Sequence, residues 1–71
     1  MKLTEEQKTR FSNLARVCMN HFPNVPLTIK EGWVWIGRKK YENAESFLSK
    51  TSIQIQEKVR QESVNQARPL I

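Results

Sequence analysis

LTIKEGWVWIGRKKY (residues 27–41) sets two tryptophans two positions apart, between a Glu31-Gly32 pair and the cations Arg38-Lys39-Lys40. How this stretch pairs with itself decides which side chains reach the core. LTIK and WVWI are rich in β-branched and aromatic residues and read as the two strands of a hairpin. Side chains alternate along a strand, so Trp33 and Trp35 share one face and Val34 and Ile36 the other. Both pairs are apolar, and a sheet covered by helices on one side buries only one of them.

Two loops compete. A two-residue loop, Glu31-Gly32, sets Lys30 opposite Trp33, Ile29 opposite Val34, Thr28 opposite Trp35 and Leu27 opposite Ile36. The core face is then Leu27, Ile29, Val34 and Ile36, and the tryptophans stand outside with Thr28 and Lys30. A three-residue loop, Lys30-Glu31-Gly32, closed by a glycine bulge, brings Trp33 and Trp35 inward with Leu27 and Ile29. Turn chemistry favours the second: a two-residue type I′ loop needs positive φ at both central positions, which suits Asn or Asp rather than Glu31. The bulged loop asks it of Gly32 alone. Area argues the same way, since each indole buries about 150–250 Å². The sequence therefore predicts inward tryptophans and outward Val34 and Ile36. Downstream, Gly37-Arg38 matches the glycine-first pattern of a type II′ turn, so KKY is expected as a short third strand.

Before the hairpin lies a helix with a readable start. Thr4 followed by Gln7 fits a capping box, and Glu5 and Glu6 sit where the helix dipole favours negative charge. Phe11, Leu14, Ala15, Cys18 and Phe22 form one apolar stripe, and Pro23 ends the helix near residue 21. FPNVP is a rigid connector whose Val25 is expected to plug the core edge. After the hairpin, residues 43 to about 66 read as one second helix. Asn43 is its N-cap, and Phe47, Leu48, Thr51, Ile55 and Val59 line one face. The alternation of TSIQIQ makes a strand at 51–56 the competing reading, but no Gly or Pro interrupts the flanks. Beyond Val59 the apolar face thins, so the last turn is expected to fray or to lean on another chain. The predicted fold is α+β: one domain over 1–71, order α-β-β-(β)-α, with two helices on one face of a two- or three-stranded antiparallel sheet. Its core spans about 4–66, followed by a mobile tail at 67–71.

A chain of 71 residues has a thin stability margin, and small folds usually add a disulfide, a metal or a second chain. Cys18 and His21 are the only residues of their kinds, so neither an intramolecular disulfide nor a zinc site is expected. No cofactor is implied, and a homodimer is the expected source of extra stability. The N-terminus lacks the apolar run of a signal peptide, and no stretch approaches the roughly 20 apolar residues of a membrane span. With the unpaired cysteine, this predicts a cytoplasmic protein without membrane contact.

The formal net charge is +5. Residues 1–20 carry four basic and two acidic side chains, residues 21–41 four and one, and residues 42–71 four of each. The excess thus lies on the first helix and the hairpin, which points to a polyanionic partner. Lys30, Arg38, Lys39 and Lys40, with Arg10 and Arg16 of the first helix, are the candidate nucleic-acid contacts. Exposed tryptophans beside them would suit base stacking, in the two-residue register only. Val34, Ile36, Tyr41 and Ile53 are the candidate apolar interface. No helix-turn-helix, zinc finger, RNP-type aromatic motif or glycine-rich phosphate loop is present. Cys18 lies on the apolar stripe, where a thiol without a cationic neighbour is inert, and no other residues assemble a reaction. The expected function is a small non-enzymatic regulatory protein that binds DNA or RNA through the basic hairpin and first helix. The alternative is a protein-binding adaptor or inhibitor that docks through its sheet face and second helix.

Overall fold

The computed structural model describes residues 3–67. In chain order the elements are α1 (Glu5–His21), β1 (Leu27–Lys30), β2 (Trp33–Ile36), β3 (Lys39–Asn43), α2 (Ala44–Leu48) and α3 (Ser52–Gln66). The three strands form one antiparallel sheet in the order β1-β2-β3, and the helices pack on one of its faces. The α+β class and the third strand agree with the sequence reading. From Arg68 onward the expected tail lies outside the described residues.

The capping box of α1 forms as expected. Thr4 Oγ1 accepts from the Gln7 backbone N–H at 3.1 Å, and Gln7 Oε1 accepts from the Thr4 N–H at 2.9 Å. Phe11, Leu14 and Cys18 are its buried stripe. Burial pushes the Cys18 thiol above its ordinary range. Val25 of the connector is fully buried, as predicted.

The hairpin takes the other register. Leu27 pairs with Ile36, Thr28 with Trp35, Ile29 with Val34 and Lys30 with Trp33, so the loop is Glu31-Gly32. Both loop residues have positive φ, 52° and 80°, as a type I′ turn requires. Val34 and Ile36 are therefore inside, with no exposed surface, and the tryptophans are outside. A single left-handed non-glycine residue costs about 1–2 kcal/mol. The layer between sheet and helices is already occupied by Phe11, Leu14, Phe47, Leu48, Ile55 and Val59, and two aliphatic side chains complete it.

At the second turn, Ile36 pairs with Lys39 across Gly37-Arg38. Gly37 has φ 63° and Arg38 is not left-handed, in keeping with type II′. Further along, Trp35 faces Lys40 but Val34 faces Glu42, so Tyr41 is the extra residue of a β-bulge. The bulge turns both Tyr41 and Glu42 toward the helices. The Tyr41 ring meets Phe47 edge-on at 6.0 Å, and Glu42 pairs with Lys50 at 2.9 Å.

The single second helix expected over 43–66 is two helices. Asn43 caps the first as predicted, its Oδ1 accepting from the Ser46 N–H at 2.8 Å. The chain then breaks at residues 49–51, and Thr51 with Gln54 builds a second capping box. The competing strand at 51–56 does not form. The last turn of α3 is bonded to its own chain: Gln66 Nε2 donates to the Ile36 carbonyl at 2.9 Å and Gln66 Oε1 accepts from the Arg38 N–H at 3.1 Å. Asn24 and Ser63 add two more bonds between the connector and α3.

Candidate nucleic-acid interface

Among the described residues, helices cover one face of the sheet and leave the other bare, and the register decides what stands on it. Thr28 and Lys30 from β1, Trp33 and Trp35 from β2, and Lys40 and Asn43 from β3 occupy this face by strand alternation and cross-strand pairing. The two indoles belong to the central strand, which is paired on both sides, so their backbone is fixed. Trp33 remains 40% exposed, unusual for so large an apolar side chain, and Trp35 is half-buried.

Each indole carries an ammonium from a flanking strand. Lys40 Nζ lies 4.2 Å from the Trp33 ring centroid, and Lys30 Nζ lies 5.7 Å from that of Trp35. These are diagonal neighbours across the ladder, the reach that long side chains have on a pleated face. A cation over an exposed indole gains only about 0.5–1 kcal/mol, so a better partner readily displaces it. Lys30, Glu31, Trp33, Trp35 and Lys40 together line a shallow concavity of about 180 Å³. Two π-faces with a mobile cation beside each can stack planar rings and neutralise the charges that link them.

The other predicted contacts are dispersed. Lys39 and Lys40 are adjacent in sequence, so strand alternation sends them to opposite faces. Lys39 turns to the helix side and pairs with Glu62 of α3 at 3.5 Å. Arg38, with Lys39, Asn24 and Gln66, lines a separate cavity of about 470 Å³ at the β2–β3 turn. Arg10 serves the fold: its guanidinium donates to the Leu48 carbonyl at 2.8 Å and the Lys50 carbonyl at 2.6 Å, holding the break between α2 and α3. Arg16 is exposed, but α1 packs on the face opposite the indoles. The structure thus separates the six candidates: only Lys30 and Lys40 meet the tryptophans.

The expected apolar interface is corrected as well. Val34 and Ile36 are core, and Tyr41 is turned inward by the bulge. Lys58 and Lys50 ammoniums lie 5.1 Å and 6.0 Å from the Tyr41 ring, and burial first, then Glu42, raises its phenol pKa. Ile53 alone is exposed, at 75%, on α3 in the helical layer. Glu31 belongs to neither set of expected contacts, yet it lines the concavity with the indoles. Its signal is structural: a positive φ that no glutamate adopts without cost.

No family model, curated protein or solved structure matches the chain. Among the described residues, no helix is long and apolar enough to cross a membrane, and no group of three or more His, Cys, Asp or Glu is placed to hold a metal ion.

Proposed function

We propose that this is a non-enzymatic protein that binds single-stranded nucleic acid on the bare face of its sheet. The observation that carries the reading is the pair of indoles on the central strand, each with a lysine ammonium over its ring. Unstacked bases lie on aromatic side chains at a gain of about 1–3 kcal/mol each, whatever the base, because every base has a π-face. A duplex keeps its bases stacked on one another and offers these rings nothing. Its phosphates would find two lysines rather than the six cations the sequence suggested.

In mechanism, a base takes the place of each ammonium on its indole, and the released Lys30 and Lys40 pair with the phosphates on either side. The exchange favours the indoles, which trade a weak cation contact for a stacked base, and it favours the cations, which pass from a ring to a charged oxygen. The test is a titration of labelled single strands and duplexes, both DNA and RNA, at several salt concentrations. Two phosphates neutralised on a single strand give a slope of log affinity against log salt near −1.4. Single strands should bind more tightly than duplexes of the same sequence. Tighter duplex binding, with the steep slope of several phosphate contacts, would refute the face as the site. Absence of binding to any strand at low salt would turn attention to the protein-docking alternative.

A further inference from the structure

Resting on that reading, we propose that Glu31 makes the face selective for guanine: its carboxylate accepts the paired N1–H and N2–H donors of a guanine stacked on the indoles. Three observations converge on this residue. Glu31 lines the same concavity as Trp33, Trp35, Lys30 and Lys40. It is the one non-glycine residue with positive φ among the described residues, at 52°, in a position where Asn, Asp or Gly would sit at lower cost. Its carboxylate makes no ion pair or hydrogen bond among the described residues, although Lys30 and Lys40 line the same concavity. Strain retained at a ligand-facing position is where function is looked for.

The chemistry selects the base. An ionised carboxylate is acceptor-only, with two oxygens side by side. Guanine offers two parallel N–H donors on its Watson–Crick edge, so both oxygens are used. Adenine and cytosine each offer a single exocyclic amine on that edge beside an acceptor nitrogen, which the second carboxylate oxygen would repel. Uracil and thymine set one N–H between two carbonyl oxygens, the worst match. The same negative charge repels phosphate, so the strand must present a base edge here rather than its backbone. Selectivity then comes from a repulsive element as well as an attractive one.

The experiment compares short oligothymidylates carrying one central guanine, hypoxanthine or adenine, titrated against the full chain and its Glu31→Gln variant. Hypoxanthine keeps N1–H and lacks the N2 amine, so it isolates the second hydrogen bond. The native protein is expected to prefer guanine to hypoxanthine and to adenine by about fivefold or more, the low end of what one bidentate base contact gives. In Glu31→Gln the guanine-over-hypoxanthine preference should disappear while affinity for plain oligothymidylate is kept or rises. Equal binding of all strands by the native protein would overturn the guanine assignment and leave the single-strand reading standing. A guanine preference that survives in Glu31→Gln would overturn the role of Glu31. If no strand binds at all, the single-strand reading fails and this inference with it.

Discussion

Glu31 holds φ 52° at the first position of the β1–β2 turn, and Glu31→Asn relieves that strain without removing a packed atom. An ordinary L-residue in the left-handed region costs about 1–2 kcal/mol, whereas Asn enters it more readily because its short amide bonds locally. Recovering half of that cost gives a gain of about 0.5–1 kcal/mol. The exposed Glu31 side chain has no ion pair or hydrogen bond among the described residues, so nothing is subtracted. In a domain of this size about 1 kcal/mol moves Tm by about 4–8 °C, which puts the expected rise at about 2–8 °C. Calorimetry or far-ultraviolet circular dichroism reads it directly, with urea unfolding as a check that the slope is unchanged. Glu31→Gly should gain less, since glycine also loosens the unfolded chain. An unchanged or lowered Tm in Glu31→Asn would refute the type I′ turn and return the three-residue loop. In that loop Gly32 alone is left-handed and the tryptophans point inward.

Three further outcomes follow from named contacts. Trp33→Ala should weaken single-strand binding by about 1–3 kcal/mol, read by anisotropy at a temperature where the variant is folded. Arg10→Ala should lower unfolding free energy by about 1–2 kcal/mol through the two lost carbonyl bonds and leave oligonucleotide affinity unchanged. Arg10→Lys should not restore stability, since an ammonium cannot span both carbonyls as the planar fork does. The third concerns pH. Burial pushes the Glu62 carboxyl up, but Gln66, Lys39, Asn65 and Lys58 outweigh it and hold it below the usual carboxylate range. The unfolded chain then takes up a proton that the native state declines. The contribution is therefore full above the ordinary Glu pKa and is lost as pH falls through it toward the folded value. The stability advantage of the native chain over Glu62→Gln should shrink from about pH 6 to about pH 3 in urea unfolding. A constant difference across that range would contradict the pairing.

What the sequence disclosed and what it withheld divide along physical lines. Local signals were legible: the Thr4–Gln7 box, the Phe11-Leu14-Cys18 stripe, Val25 as a plug, and the three strands. The break at 49–51 was legible too, because Thr51 and Gln54 repeat the Thr4–Gln7 signature. A competing cap ends a helix as well as a Gly or Pro does, so their absence from the flanks does not keep the helix continuous. The register depends on a non-local condition: the layer under the helices, filled by Phe11, Leu14, Phe47, Leu48, Ile55 and Val59, takes Val34 and Ile36, whereas the turn cost at Glu31 is local. This one register choice exchanges the core and the outer face. The dispersal of the basic residues follows partly from parity, which separates Lys39 from Lys40 once the turn is known. It also depends on contacts no local pattern carries: Arg10 meets carbonyls some 40 positions away, and the bulge at Tyr41 exists only against its partner strand.

The central claim is that the indoles of the bare sheet face are the contact surface, and indole N–H resonances in a nitrogen-15 correlation spectrum test it most directly. On titration with a short guanine-containing single strand, the account predicts that both indole signals, Trp33 and Trp35, shift or broaden first. The amides of Thr28 to Gly32 and of Lys40 should move with them, while α1 and the Arg38 turn stay in place. Perturbation centred on α1 or on Arg38, with both indole signals unmoved, would contradict it.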